Sequence, residues 1–243
     1  MSAETTGLLR AAVILVAAGD GRRVGGTTNK VLLPLAGAPV FVWSLRSVEM
    51  LDYPAQVVVV VRDQDRGVVE RDLARHFPKR DIAVVTGGAT RHASEWNGLC
   101  AIANAVDAGE IDVVAIHDAA RPLAGPSMFN TVVGLAASRG GTLPMREQPT
   151  LVLREATSAP SVQGRLVGVQ TPQAFQARPL LAAYRQAARD GYVGTDTAAC
   201  VQRYTDLSIS ALPGPARNMK ITHPEDLALA ERLLSHAAAR PSW

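Results

Sequence analysis

What most constrains the fold of this chain is a recurrence of short, almost unbroken apolar runs. They read AAVILVA at 11–17, QVVVVV at 56–61, IAVV at 82–85 and DVVAI at 112–116. Each is too short for a buried helix and rich in β-branched residues, so each reads as a strand. A strand with one wet face would alternate apolar and polar side chains. These do not, so both faces must be covered. Helical patterns lie between and after them, at about 39–49, 66–77, 92–107 and 127–138. Strands buried on both faces and joined by helices imply an α/β fold with a doubly wound, mostly parallel, Rossmann-like sheet. Ligands of such sheets sit beyond the carboxyl ends of the strands, which is where AAGDGRR and HDAARP fall.

From about 140 to 170 the texture changes. Short β-like pieces are broken by proline, glycine and serine, without a helical period. This predicts a β-arm at about 140–165, which either packs on a partner subunit or forms a long surface hairpin. Helices return at about 177–189, 195–203 and 224–237, with a strand near 207–212. In THPEDLALAERLL, Thr222 is expected to cap a helix that Pro224 opens, with Glu225 and Asp226 at its positive end. No repeat or low-complexity tract divides the 243 residues, so one domain spanning 1–243 is expected.

Composition narrows the function classes. The chain is 47% hydrophobic and 19% charged, with a formal net charge of +3. That balance argues against a nucleic-acid coat and against a polybasic membrane patch. Cys100 and Cys200 lie far apart with no CxxC pattern and are expected to be buried thiols in a reducing compartment. The apolar stretch near the N-terminus is short, follows an acidic start and runs into a glycine loop. It fits neither a signal peptide nor a membrane span, and a cytoplasmic location is expected.

The loop after the first strand, GDGRRVGGTTNK, sets three cations among four glycines, which suits a phosphate-bearing ligand. A Walker A loop fails, because Lys30 is followed by Val31 and not by Ser or Thr. A dinucleotide fingerprint fails too: Gly19 and Gly21 fit, but Gly25 comes one place late and no acid follows at the ribose position. A nucleotidyltransferase loop, whose amides and cations wrap a triphosphate, fits best. Three further segments point the same way. Arg91 and Ser94 follow the glycines of VVTGGATRHAS at a helix start, where Ser94 is equally readable as a plain cap. Asp118 ends a strand in AIHDAARP, as a nucleotide or metal ligand or as a capping aspartate. Lys220 stands in a short loop before the final helix, where a lone lysine is more often solvated than functional.

Taken in order, AAGDGRR…NK, GGATRHAS, HDAARP, QTPQAF, GTDTA and NMKITHPEDLALAE resemble the 2-C-methyl-D-erythritol 4-phosphate (MEP) cytidylyltransferase family from about residue 11 to 237. The resemblance implies a homodimer that joins CTP to MEP with Mg²⁺ and releases pyrophosphate. It assigns Arg23 and Lys30 to the triphosphate and the transition state, and Ala17, Ala18, Gly19, Gly21, Gly88 and Ser94 to the nucleotide pocket. Asp118 and Arg121 fall at the junction of nucleotide and second substrate, with Asp118 also a metal ligand, and Thr195 and Lys220 on the phosphorylated acceptor, with Lys220 counted among the catalytic cations. The acceptor half departs from the family pattern. Glu147, Gln148, Pro149 and Thr150 stand where the family carries Asp-Thr-(Ile/Leu/Met)-Lys, and Gln163 stands where it carries an arginine, with Arg165 two residues away. Ala89 replaces a residue that is often acidic or otherwise polar, and Asn29 begins NKVLLPL where PKQYLPL is common. These departures keep open another acceptor, such as ribitol 5-phosphate, or a non-catalytic nucleotide-binding paralogue.

Overall fold

The computed structural model describes residues 8–19, 28–148 and 166–238. The chain opens with β1 (Ala11–Val16). A two-residue hairpin, β2 (Pro34–Leu35) and β3 (Ala38–Pro39), follows, then α1 (Val40–Glu49), β4 (Ala55–Val61), α2 (Arg66–His76), β5 (Ile82–Thr86), α3 (Arg91–Asp107), β6 (Val113–Asp118) and α4 (Pro126–Arg139). The second half comprises β7 (Gly141–Glu147), β8 (Val167–Val169), β9 (Gln173–Gln176), α5 (Ala177–Asp190), α6 (Thr197–Tyr204), β10 (Ile209–Pro213) and α7 (Pro224–Ala238).

The main sheet runs β5-β4-β1-β6-β9-β7-β10, with β8 pairing β7. The pairs β1–β4, β1–β6, β4–β5 and β7–β10 are parallel, and β9 runs antiparallel to both β6 and β7. The unbroken apolar strands β1, β4 and β6 are explained by a core on each face. By contrast β5, at the sheet edge, is only partly buried, with Ala83 exposed, contrary to the expectation for that run. Val13, Leu15, Val57 and Val59 pack with Phe41 of α1 and Phe129 of α4, while Ile14, Val58, Val60 and Ile116 pack with Leu99 of α3 and Leu180 of α5. Alternate residues of one strand thus serve opposite layers. The approach of α3 is close enough that a Cβ on Gly98 would lie 2.6 Å from Ile14 Cγ2.

Three sequence expectations are corrected. Gly141–Glu147 is not part of a projecting arm but a strand of the main sheet, with Gly141, Thr142 and Leu143 buried between β9 and β10. Its apolar signal is short and broken by Pro144, which hides it. Its last residues pair with β8 and Gln148 N–H donates to Leu166 O (2.9 Å), and the rest of the expected arm, 149–165, lies outside the described residues. Thr222 does not cap α7. The Asp226 carboxylate does so from within, accepting the N–H groups of Thr222 and His223 at 2.8 Å each, and the Thr222 hydroxyl donates to Lys220 O. Cys200 is buried as expected, but Cys100 is exposed.

Candidate functional site

The parallel strands β1, β4, β5 and β6 all end at one edge, and there they open onto a cavity of about 750 Å³. Ala18 and Gly19 after β1, Gly88 and Ser94 around the start of α3, and Lys30, Asp118 and Lys220 all line it. Motifs up to about two hundred residues apart point to one site, and the fold brings these residues together.

One wall is made of backbone. Ala17 N–H donates to Val60 O (2.7 Å), so the chain stays sheet-like one residue past β1. Thr90 caps α3 by accepting from Ala93 N–H (3.0 Å). Ser94 therefore serves differently. Its Oγ accepts from Gly88 N–H (3.1 Å) and donates to Thr90 O (3.0 Å), pinning the glycine turn to the helix. The turn tolerates no side chains. A Cβ on Gly87 would sit 2.5 Å from Ala18 Cβ, and one on Gly88 would collide with Ala93 Cβ. Gly19 is different, with nothing within 4 Å of an added Cβ. Gly87 belongs to the same GG pair as Gly88, and that pairing is its only signal in the sequence. Gly21 and Arg23 lie outside the described residues.

Lys30 faces this wall from the far end of the glycine loop, in a single 3₁₀ turn over Lys30–Leu32, and is itself largely buried. Its neighbour Asn29 is tied down. The Asn29 amide donates to Ala17 O (2.9 Å) and to Asp65 Oδ2 (2.8 Å), and its Oδ1 accepts from Val31 N–H (3.3 Å). Arg62 in turn grips both oxygens of Asp65, at 2.6 and 3.0 Å. The loop end that carries Lys30 is thereby fixed to β1 and to the turn after β4.

The opposite wall is a cluster of charge around Asp118, the last residue of β6. Arg91 reaches Asp118 Oδ1, while Lys220 Nζ stands 2.9 Å and Arg121 Nε 3.6 Å from Oδ2. Burial alone would push the Asp118 carboxyl up, but Arg91 and Lys220 hold it well below the usual carboxylate range. Arg91 also stands over Glu95, Nε to Oε1 2.9 Å. Burial disfavours its charge, yet Asp118 and Glu95 outweigh that and raise its affinity for the proton. For Arg121, burial dominates and lowers the pKa. The family resemblance gives Arg91 no role of its own. Its signal in the sequence is its place at the helix start, directly after the glycines.

A second set of buried groups holds the cluster's backbone. Asp118 N–H donates to Thr171 Oγ1 (3.0 Å), and the Thr171 hydroxyl lies 3.1 Å from His117 Nδ1. His117 Nε2 lies 3.1 Å from Arg121 O, an acceptor only, which fixes the proton on Nε2 and lets Nδ1 accept from Thr171. Asn218, fully buried, donates to Thr171 O (2.9 Å), and its own carbonyl accepts from Arg121 Nη1 (2.7 Å) and Gln170 Nε2 (3.2 Å). The QTP and NMK segments, in the sequence only landmarks of resemblance, thus clamp the Asp118–Arg121 turn to the loop that presents Lys220.

Ala17 and Arg121 stand behind the lining rather than in it, and two expected roles find less support in the geometry. Thr195 is exposed, just before the Asp196 cap of α6, and is not among the residues lining the cavity. Asp118 as a metal ligand would offer one carboxylate whose two oxygens already face three cations. Among the described residues no three His, Cys, Asp or Glu side chains gather to hold a metal. A resident divalent ion does not fit such a donor set, whereas Mg²⁺ bound mainly by phosphate oxygens needs little from the protein.

Known proteins resemble the chain over almost its whole length. The family model for 2-C-methyl-D-erythritol 4-phosphate cytidylyltransferase matches residues 11–236. The enzyme of that name from Symbiobacterium thermophilum is 36% identical, covering 98% of this chain and 99% of the relative. The one from Solibacter usitatus is 34% identical, over 96% and 98%. Among solved structures, the Thermus thermophilus enzyme of the same name superposes with a TM-score of 0.66 at 28% identity, covering 91% of this chain and 98% of that one. A 4-diphosphocytidyl-2C-methyl-D-erythritol synthase from Anaerococcus prevotii gives 0.75 at 22% identity, over 93% and 96%, and supports the fold alone.

Proposed function

The chain belongs to the 2-C-methyl-D-erythritol 4-phosphate cytidylyltransferase family, and from that premise we propose that it joins CTP to MEP and releases pyrophosphate. The observation that carries the reading is the cavity itself: a glycine wall fitted for close approach, three cations converging on Asp118, and Lys30 in the same lining. The MEP phosphate oxygen attacks the α-phosphorus of CTP. A new P–O bond forms, the bond from the α-phosphorus to the bridging oxygen breaks, and pyrophosphate carries away the electron pair. The nucleophile is already an anion, so no general base or covalent serine is required. What the protein supplies is position and neutralisation of charge on the phosphate oxygens.

In this reading Ala17, Ala18, Gly19, Gly21, Gly88 and Ser94 surround the nucleotide. Arg23 and Lys30 take the triphosphate, and Asp118, Arg121 and Lys220 take the acceptor side, with Thr195 at its margin. Mg²⁺ enters as part of the Mg²⁺·CTP substrate and adds positive charge at the phosphates. We further propose a cytoplasmic homodimer. The arm is the contact, because the residues at its base, Leu166, Val167 and Val169, leave apolar side chains exposed. Neither a ribitol 5-phosphate acceptor nor a non-catalytic role gains support from the relatives above.

The test is pyrophosphate release from CTP with MEP, run beside ribitol 5-phosphate and beside ATP, GTP and UTP. Turnover of MEP with CTP above every other pairing is expected. Release with ribitol 5-phosphate and none with MEP would overturn the assignment.

A further inference from the structure

Glu95 is out of place by ordinary rules. It lies on the core face of α3 with His92, Gly98, Leu99 and Ile102, and it has no exposed surface. Helical periodicity predicts an apolar side chain there. Its carboxylate instead accepts two hydroxyl hydrogen bonds and stands beside a guanidinium. Tyr184 Oη of α5 donates at 2.5 Å, Thr197 Oγ1 at the start of α6 donates at 3.0 Å, and Arg91 Nε stands at 2.9 Å. Tyr184 is itself immobilised, stacked on the His92 ring with centroids 4.6 Å apart.

A buried ion pair seldom stabilises a fold more than apolar packing of the same volume would. Stability alone is therefore a weak reason for this cluster, and its direction suggests a better one. Arg91 spans two carboxylates, with Nε on Glu95 and Nη1 on Asp118, and Asp118 in turn faces Lys220. Arg91 lines the cavity between Thr90 of the nucleotide wall and Asp118 of the acceptor wall. A guanidinium held by Asp118 alone would be free to swing toward any triphosphate that entered. Paired with Glu95 as well, it stands between two carboxylates. On the far side, Thr197 begins the helix that Asp196 caps, and Asp196 also accepts from Gln173 Nε2 (3.1 Å). The same carboxylate thus ties α3, whose start forms the nucleotide wall, to the loop that carries Thr195.

We propose that Glu95 is a positioning residue that locks Arg91 onto the acceptor side of the cavity and so separates recognition of the phosphorylated acceptor from binding of the nucleotide. The proposal rests on the functional reading above. Glu95→Gln keeps the side chain's size and one hydrogen bond but removes the ionic hold on Arg91. The expected result is a rise of tenfold to a hundredfold in KM for MEP, roughly the range for losing one charge-assisted contact. The Kd for Mg²⁺·CTP, measured by calorimetry without acceptor, should stay within about threefold.

A second variant separates position from stability. Glu95→Leu with Tyr184→Phe and Thr197→Val replaces the whole polar cluster by apolar groups. Its Tm should equal or exceed the parent's, while its use of MEP stays as poor as that of Glu95→Gln. A third readout does not depend on the acceptor: in the parent with no substrate, the Arg91 Nε–H gives a slowly exchanging NMR signal, which Glu95→Gln abolishes. Equal losses of CTP and MEP binding in Glu95→Gln, parent-like MEP turnover in the triple variant, or a protected Nε–H surviving in Glu95→Gln would each overturn the proposal. If the parent itself does not turn over MEP, the functional reading fails and the Nε–H signal still decides the role of Glu95.

Discussion

Acid should destabilise this protein through His117, in a pH window that the structure defines. Its ring is completely buried, and burial lowers its pKa to about 4 from the ordinary 6.5, although Asp118 pulls the other way. The folded state thus prefers the neutral ring, which donates from Nε2 to Arg121 O and accepts at Nδ1 from Thr171. Unfolding releases a histidine that takes up a proton below about pH 6.5. Between pH 6.5 and 4 the unfolded state therefore binds more protons, and stability falls as pH falls. The stability is fully present above 6.5 and lost progressively down to about 4. With 1.36 kcal/mol per pKa unit, the loss amounts to about 3 kcal/mol from this one ring. Urea unfolding of the parent and of His117→Gln, measured from about pH 7.5 to 4, isolates it. Whatever the substitution costs at neutral pH, the parent should lose about 3 kcal/mol more than the variant on acidification. Parallel curves, or an NMR titration of His117 with a midpoint near 6.5, would refute the argument, because the ring would then be reaching water.

Two further outcomes follow from the site and the arm. Lys30→Ala should lower kcat by about 10²–10³-fold, as for loss of one preorganised partner of a developing oxyanion, while circular dichroism stays that of the parent. An unchanged kcat/KM in the folded variant would remove Lys30 from the chemistry. Replacing residues 149–165 by Asn-Gly should leave the sheet intact, because Gln148 and Leu166 already face each other across the hairpin. Light scattering should then report a monomer, and a dimer that survives would show the contact to lie elsewhere.

Much of this is legible in the chain because it rests on local pattern. A strand buried on both faces must be continuously apolar, so β1, β4 and β6 announce themselves, and the α/β architecture with them. The edge strand β5 is read from its β-branched residues although it is only partly buried. The motif residues Ala18, Gly88, Ser94, Asp118 and Lys220 can be placed because each closes or follows a recognisable element. What stays hidden is pairwise and long-range. Nothing in the spacing of Glu95, Tyr184 and Thr197 shows that three helices meet at one carboxylate. Nothing marks Asn29 and Asp65 as partners across thirty-six residues. β7 reads as arm because Gly141 and Pro144 weaken its strand signal, and its place between β9 and β10 is a property of topology. Ser94 is readable as a cap because its residue type and place fit, and only the geometry assigns the cap to Thr90.

In the proposed function a carboxylate stands at the heart of a phosphate-binding cavity, and its placement has a physical rationale. An aspartate repels phosphate, so Asp118 looks counterproductive beside a substrate pair carrying several negative charges. With no anion bound, however, Arg91, Arg121 and Lys220 would face one another, and mutual repulsion would drive them apart. Asp118 removes that repulsion and makes them converge on one point. The surplus then lies with the donors. Two guanidiniums and an ammonium bring about thirteen N–H groups, against about four acceptor sites on a carboxylate. Arg121 Nη1 is committed to Asn218 O and Arg91 lies against Glu95, but in that reading the excess remains for phosphate oxygens brought by the ligand. The carboxylate thus acts as an internal counter-ion that keeps the cations in place before substrate arrives. Catalysis by charge neutralisation needs that preorganisation, since cations that must first be gathered spend interaction energy on reorganisation instead of on the transition state.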